Sequence, residues 1–286
     1  MSALRSERPA RVGVPSKGRL RDGALALLHA AGYPAEQLGG AGSIAAVGAL
    51  EFIEMRPRDA AAALAASQLD AAFLATDIVA EAELDELPAL PLGYCRSDLV
   101  LASRDDDGRD GAADLDGAVV VTHLPMVTQR FFAEKGIEVT IVAMGGSLEG
   151  TCAAGLADAI VDLRETGTSL MMNRLRVLEV LRHCEALLVH RRDLPALRDL
   201  ELRVAAVVSA RRHRYVMLHI PPQRLDALRA IFPGLAAPTV LPLAGRDDLV
   251  AVHFVVSNGQ LWTRLGDLRA LGATGIVALE PQALLP

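Results

Sequence analysis

Apolar positions along the chain fall into two alternating periods. Short apolar runs of the kind expected of buried strands recur at Arg11–Pro15, Glu51–Met55, Leu69–Leu74, Leu99–Ser103, Ala118–Thr122, Val139–Ala143 and Ala157–Asp162. Between them lie stretches with helical spacing. Leu20, Ala24, Leu27 and Leu28 share one face, a helix follows Arg56-Pro57-Arg58-Asp59 to about Ser67, and Pro125–Lys135 and Ser147–Gly155 give two more. Strand and helix in alternation predict a parallel α/β sheet. The glycine-rich Gly39–Gly48 reads as a flexible connection, and the acidic Asp105–Asp110 as a turn-like surface insertion whose charges are solvated.

After about Arg212 the order changes. Tyr215–Ile220, Thr239–Leu243, Val250–Val256 and Ile276–Leu279 read as strands, and Pro222–Ile231 and Leu261–Leu271 as helices. This βαββαβ order is the ferredoxin-like arrangement, which often serves as a small-molecule regulatory module. Trp262 is expected to pack inside it. No internal repeat of fixed period runs through the chain.

Length then sets the scale: 286 residues, 51% of them hydrophobic, exceed one compact core and imply two or three lobes. The formal net charge of -6 argues against general binding to nucleic acid or a membrane surface, because counterion-driven association with polyanions needs a basic face. Any anionic ligand must therefore be gripped locally. Cys95, Cys152 and Cys184 lack the spacing of a zinc site or a disulfide framework and read as reduced thiols. The N-terminal stretch has basic residues but no apolar segment behind them, so no secretory signal is read there. The alanine-rich region from Asp59 to Leu84 is broken by Asp70 and Asp77, short of the roughly 20 apolar residues of a membrane span. A cytoplasmic location is expected.

The chemistry concentrates in one segment, Asp162-Leu163-Arg164-Glu165-Thr166-Gly167-Thr168-Ser169-Leu170. It places a carboxylate at a strand end, then hydroxyls and a glycine where a helix can begin. Backbone N–H groups at such a turn can surround a phosphate, Thr166, Thr168 and Ser169 can add hydroxyl donors, and Gly167 permits close approach. Asp162 is placed to accept hydrogen bonds from ribose hydroxyls. On spacing alone, a capped helix start accounts for the same residues.

The string Gly155-Leu156-Ala157-Asp158-Ala159-Ile160-Val161-Asp162, continuing through Thr166-Gly167-Thr168-Ser169-Leu170, resembles the phosphoribosyl pyrophosphate motif of ATP phosphoribosyltransferases. Further segments resemble that family in the same order: Val14-Pro15-Ser16-Lys17-Gly18-Arg19-Leu20, Arg56-Pro57-Arg58-Asp59, Lys135-Gly136-Ile137 and Gly146-Ser147-Leu148-Glu149. Tyr215-Val216-Met217-Leu218 and Pro238–Leu243 resemble the extra C-terminal domain of the long form.

The resemblance implies a two-lobed, periplasmic-binding-protein-like α/β catalytic core with a ferredoxin-like domain behind it. Lobe I would be 1–98, completed by 184–211; lobe II, 99–183, would carry the phosphoribosyl pyrophosphate loop; 212–286 would be regulatory. It also implies a reaction, the displacement of pyrophosphate from C1 of the phosphoribosyl donor by N1 of the adenine of ATP, with Mg2+. Histidine would be the feedback inhibitor at the C-terminal domain, and the assembly a homo-oligomer, a dimer or a hexamer built from dimers. Lys17, Arg19, Arg56 and Arg58 are the expected local cations, each otherwise an ordinary surface charge. Asp77 matches the acid that closes a family segment near the nucleotide. Glu149 is expected near the donor, as a partner for a hydroxyl or a metal-bound water or simply as a helix-face carboxylate. Glu165, Thr166, Gly167, Thr168 and Ser169 form the donor loop with Asp162. No metal site follows from any direct motif.

Two departures bear on the acceptor. The family usually has glycines where this chain reads Ala72-Phe73-Leu74-Ala75-Thr76-Asp77, which predicts a bulkier or drier pocket, and a tyrosine where this chain has Leu124 before Pro125. Both suit a paralogue recruited to purine-analogue antibiotic synthesis. Two readings from other classes are a solute-binding module and a catalytically silent regulatory subunit. His123, beside Leu124, could face the cleft, but a lone histidine reads as structural and is not taken as catalytic.

Overall fold

The structure, a computed structural model, describes residues 8–233 and 237–285. Residues 1–7, part of the stretch read above for an export signal, lie outside the described residues. The chain divides into two compact units, Met1–Glu201 and Leu202–Pro286.

The first unit begins with β1 (Ala10–Pro15), α1 (Gly18–Ala30), β2 (Ile44–Val47), β3 (Leu50–Met55), α2 (Pro57–Ala65), β4 (Ala71–Ala75), α3 (Thr76–Glu81) and β5 (Ala89–Pro91). The chain then passes to a second sheet through β6 (Ser97–Arg104), β7 (Val119–Thr122), α4 (Pro125–Lys135), β8 (Thr140–Ala143), α5 (Leu148–Ala153), β9 (Ala159–Arg164), α6 (Thr168–Met172) and β10 (Leu175–Cys184). It returns to the first sheet as β11 (Ala186–His190), and α7 (Pro195–Arg211) then runs across the boundary at Glu201 into the second unit. The strand orders are β2-β3-β1-β4-β11-β5 in lobe I and β10-β6-β9-β7-β8 in lobe II.

In lobe I, β1 is buried on both sides and runs parallel to β3 and β4, which explains its almost unbroken apolar sequence. α1 packs through Ala24, Leu27 and Leu28, and α2, opened by Pro57 in its first turn, through Ala60, Ala61 and Leu64. Gly13 allows this close packing, since a Cβ there would lie 2.8 Å from Leu69 Cδ1. In lobe II the two faces of the sheet alternate: Leu99, Leu101, Val120 and Val161 pack with Phe132, while Val100, Ala102, Val121 and Ile160 pack with Leu148 and Leu170.

Four sequence expectations are corrected here. Neither sheet is purely parallel: β11 is antiparallel to β4 and β5, and β6 to β9 and β10. The strands that carry the chain into and out of lobe II pair with each other, so they must run in opposite directions. β10 carries two register shifts, which interrupt the alternation that reveals a strand in sequence. Gly39–Gly48 is not a plain connection, for Ile44–Val47 pairs antiparallel with β3 and buries Ala45, with Gly48 at φ +57 in the turn. The acidic 105–110 run is not wholly solvated. Arg109 bridges Asp107 and Asp158 at 2.8 Å each, Asp158 in turn accepts the Val119 N–H, and the Asp107 side chain is only 8% exposed.

The second unit contains β12 (His213–Ile220), α8 (Leu225–Ile231), β13 (Thr239–Leu243), β14 (Arg246–Ser257), α9 (Asn258–Ala270) and β15 (Thr274–Leu279). Its sheet, in the order β13-β14-β12-β15, is antiparallel throughout, the ferredoxin-like topology. Val216, Leu218, Ile220 and Phe254 pack against Leu228, Phe232, Leu261 and Leu268 of the helical layer. The fourth correction concerns Trp262, which is 69% exposed. Leu261 and Leu268, two turns apart, take the inward stripe of α9, and the next position along the helix faces away from it.

Candidate active site

The parallel strands of both lobes present most of the candidate side chains at or beyond their C-terminal ends, where open α/β sheets bind ligands. In lobe I, Lys17 and Arg19 follow β1, Arg56 and Arg58 follow β3, and Asp77 follows β4. In lobe II, His123 follows β7, Gly145 and Gly146 follow β8, and Asp162 stands near the end of β9. Strand register sets the lobe II neighbours. Thr122 pairs with both Val161 and Ala143, so the residues just beyond them, His123, Asp162 and the Gly145-Gly146 turn, come together. The Thr122 hydroxyl fixes this end by donating to the Val161 carbonyl (2.8 Å) and accepting the Leu124 N–H (2.9 Å).

Arg58, His123, Gly145, Gly146, Leu148 and Asp162 line a cavity of about 380 Å³. The Arg58 guanidinium donates across it to the His123 carbonyl, and His123 Nδ1 lies 3.3 Å from Asp162 Oδ1. A second contact between the lobes is the ion pair of Arg19 with Glu165.

Residues 165–169, the stretch expected to seat the donor, form a tight turn ahead of α6. Gly167 takes a left-handed φ of +80 as the residue capping α6, and the first amides of that helix have no helical acceptor. The Thr166 and Thr168 hydroxyls are 3.0 Å apart, and Ser169 donates to Glu149 Oε1 at 2.6 Å, so Glu149 joins the loop. Asp162 Oδ1 accepts the Leu163 N–H (2.7 Å), which sets its carboxylate at the strand end. Lys17 and Arg56 are exposed just before α1 and α2 and make no ion pair among the described residues. Contacts thus join Arg58, His123 and Asp162 in the cavity, and Arg19 and Glu149 to the 165–169 turn; none of these contacts includes Lys17 or Arg56.

Asp77 is buried, and its Oδ1 has no hydrogen-bond partner among the described residues. Burial raises its pKa, with nearby His123 and Arg58 opposing that shift. A buried carboxyl without a full partner set, at the ligand end of a strand, is a candidate functional group.

The sequence reading set His123 aside, and the structure puts it in the cavity wall. Its signal was position: it directly follows a parallel strand, β7. Leu124 and Ala72, by contrast, are 0% exposed, in the cores of lobe II and lobe I, so neither lines the pocket. Ala75, the third of the departures, is half-buried at the end of β4, next to Thr76 and Asp77.

Comparison with known proteins decides the family. The ATP phosphoribosyltransferase family model matches residues 56–209, and the model described as "HisG, C-terminal domain" matches residues 210–281. The chain belongs to the ATP phosphoribosyltransferase family. An ATP phosphoribosyltransferase of Halobacterium salinarum is 38% identical over 96% of this chain and 99% of its own length. One from Gemmatimonas aurantiaca is 35% identical with the same coverage. A chain of the ATP phosphoribosyl transferase (HisG:HisZ) complex from Thermotoga maritima superposes with a TM-score of 0.57 and 25% identity, covering 68% of this chain and 98% of its own. The matches include the C-terminal unit, so the chain belongs to the long form of the family. The matched catalytic segment of the family holds Arg56, Arg58, Asp77, Glu149 and the Asp162–Ser169 stretch, with Lys17 and Arg19 preceding it.

Proposed function

We propose that the chain transfers the phosphoribosyl group of phosphoribosyl pyrophosphate to N1 of the adenine of ATP, the first step of histidine biosynthesis, in the cytoplasm. The observation that carries this reading is the left-handed Gly167 turn at the end of β9, with its hydroxyl side chains and the Asp162 carboxylate beside it. In this account the turn holds the 5′-phosphate through its amides and the hydroxyls of Thr166, Thr168 and Ser169, with Glu165 completing the loop. Asp162 accepts hydrogen bonds from the ribose hydroxyls.

The N1 lone pair then forms a bond to C1 while the C1–O bond to pyrophosphate breaks, and the electron pair leaves on the pyrophosphate. No covalent enzyme nucleophile is required. Arg19, Arg58, Lys17 and Arg56 supply positive charge to the two polyanions, which a chain of net charge -6 does not attract globally. Asp77 lies on the acceptor side.

Among the described residues no group of three or more His, Cys, Asp or Glu side chains could hold a metal ion. Magnesium commonly binds through one or two carboxylates plus substrate phosphates, and Asp162 and Glu149 beside the loop fit that donor set. The ion would neutralise charge developing on the leaving pyrophosphate. Histidine binding at the C-terminal unit and assembly as a homo-oligomer, a dimer or a hexamer, complete the proposal.

The test is a product assay with phosphoribosyl pyrophosphate, Mg2+ and a panel of purine nucleotides. The reading predicts pyrophosphate release that is fastest with ATP and yields phosphoribosyl-ATP. No release with any nucleotide would favour a binding or regulatory role, and faster turnover of another purine nucleotide would favour a paralogue of different pathway.

A further inference from the structure

Arg164, the residue just before the 165–169 loop, is held by a carboxylate that does not line the cavity. Asp98, the second residue of β6, accepts from the Arg164 guanidinium at 2.5 Å through Oδ2 and lies 2.7 Å from His183 Nδ1 through Oδ1. The register of the sheet produces this arrangement, because Asp98 pairs with Arg164 on β9 and with His183 on β10. Arg164 and, after it, His183 hold the Asp98 carboxyl below the usual carboxylate range.

Arg164 is the last residue of β9, and the loop begins at the next position. Its aliphatic stem lies beneath the left-handed turn: a Cβ at Gly167 would stand 3.7 Å from Arg164 Cδ and 3.9 Å from Cγ. The stem thus lies between the turn and the guanidinium that Asp98 holds.

Asp98 and His183 also flank the two points where the chain passes between lobes. β6 starts at Ser97, just after the outward crossing, and β10 ends at Cys184, with Glu185 alone linking it to β11. Glu185 fastens both crossings: its carboxylate accepts the Gly93 N–H (3.0 Å), its carbonyl accepts the Thr76 N–H (3.0 Å), and its own N–H donates to the Thr76 hydroxyl (3.1 Å).

We propose that Asp98 is a positioning residue for the donor: it fixes Arg164 so that the arginine stem supports the Gly167 turn, and it joins that turn to the two strands through which the lobes are connected. This rests on the reading of residues 165–169 as the donor seat. The Arg164 and Asp98 side chains are 32% and 26% exposed, so solvent screens the pair and its loss should alter loop geometry more than global stability.

The test uses the full chain with Asp98→Ala, Asp98→Glu, Arg164→Ala and the Asp98→Ala/Arg164→Ala double variant. Asp98→Ala should raise KM for phosphoribosyl pyrophosphate about three- to fivefold, with KM for ATP and the melting temperature unchanged. Asp98→Glu should restore most of the loss, Arg164→Ala should match Asp98→Ala, and the double variant should be no worse than either single one. An unchanged donor KM, an equal rise in KM for ATP, or effects that multiply in the double variant would each overturn the assignment. Gly167→Val, measured alongside, separates the two claims. If it raises donor KM while Asp98→Ala does not, only the positioning role fails; if neither moves it, the donor seat fails as well.

Discussion

Arg19, in the first turn of α1, and Glu165, in the loop after β9, form an ion pair that spans the two lobes. Both side chains are more than half exposed, 64% and 51%, so screening and side-chain entropy leave the pair little stabilising value. Arg19→Ala should change unfolding free energy by less than about 1 kcal/mol. The same change removes a cation that faces the donor loop, and kcat/KM should fall at least about tenfold. Denaturation and steady-state kinetics on one preparation check the dissociation of the two effects.

Asp77 should behave in the opposite way. Its folded pKa is raised by burial, so the folded state is penalised when the carboxyl ionises; the penalty is absent below the ordinary value of 3.8 and complete above the folded value. Asp77→Asn should therefore stabilise the protein at pH 7 by about 1–3 kcal/mol, an advantage that disappears as pH falls towards 3.8. Turnover should drop in the same variant. Urea denaturation at several pH values gives the first result and the product assay the second.

Glu54, fully buried, is the mirror case. Burial alone would raise its pKa, but the Ser43 hydroxyl, the Arg21 guanidinium (Nε at 2.6 Å) and the Gly40 amide more than offset that and hold the carboxyl below its usual range. A depressed folded pKa contributes stability that is fully present above 4.5 and lost as pH falls through the folded value. Glu54→Gln should cost about 1–2 kcal/mol at pH 7, and the gap from wild type should narrow below pH 4.5. Equal gaps at neutral and acid pH would contradict the sign.

Gly23 has no room for a side chain. The Tyr94 ring occupies the space where its Cβ would stand, and the Tyr94 hydroxyl donates to the Leu20 carbonyl at 2.9 Å. Tyr94 belongs to the segment that crosses between lobes, so Gly23→Ala should expel the ring and destabilise the first unit by about 1–3 kcal/mol, read as a lowered melting temperature. The helix-favouring effect of alanine runs the other way and is smaller, roughly 1 kcal/mol.

Most of this fold was legible because each parallel strand in it reads as an apolar run followed by a helix with a clear face, as Arg11–Pro15 and Pro125–Lys135 do. The loop at Glu165–Ser169 was legible for a related reason: hydroxyls and a glycine directly after a buried strand are rare without a capping or binding role. What stayed hidden depended on contacts distant in sequence. Strand β10 loses its period at the bulges, Ala45 is buried only because β3 lies beside it, and Asp107 leaves solvent only through Arg109 and Asp158. His123 and Leu124 are adjacent in sequence, yet one lines the cavity and the other the core, a difference fixed by the direction each leaves the end of β7. The role of Asp98 is invisible in sequence, because Arg164 lies 66 residues away.

A crystal structure of the chain with phosphoribosyl pyrophosphate and Mg2+ will show whether the Gly167 turn seats the 5′-phosphate of the donor. The 5′-phosphorus should lie within hydrogen-bond reach of the Gly167, Thr168 and Ser169 amides, with the ribose diol on Asp162. A donor bound with its 5′-phosphate on Lys17 or Arg56, and the turn at residues 165–169 touching nothing, would contradict it.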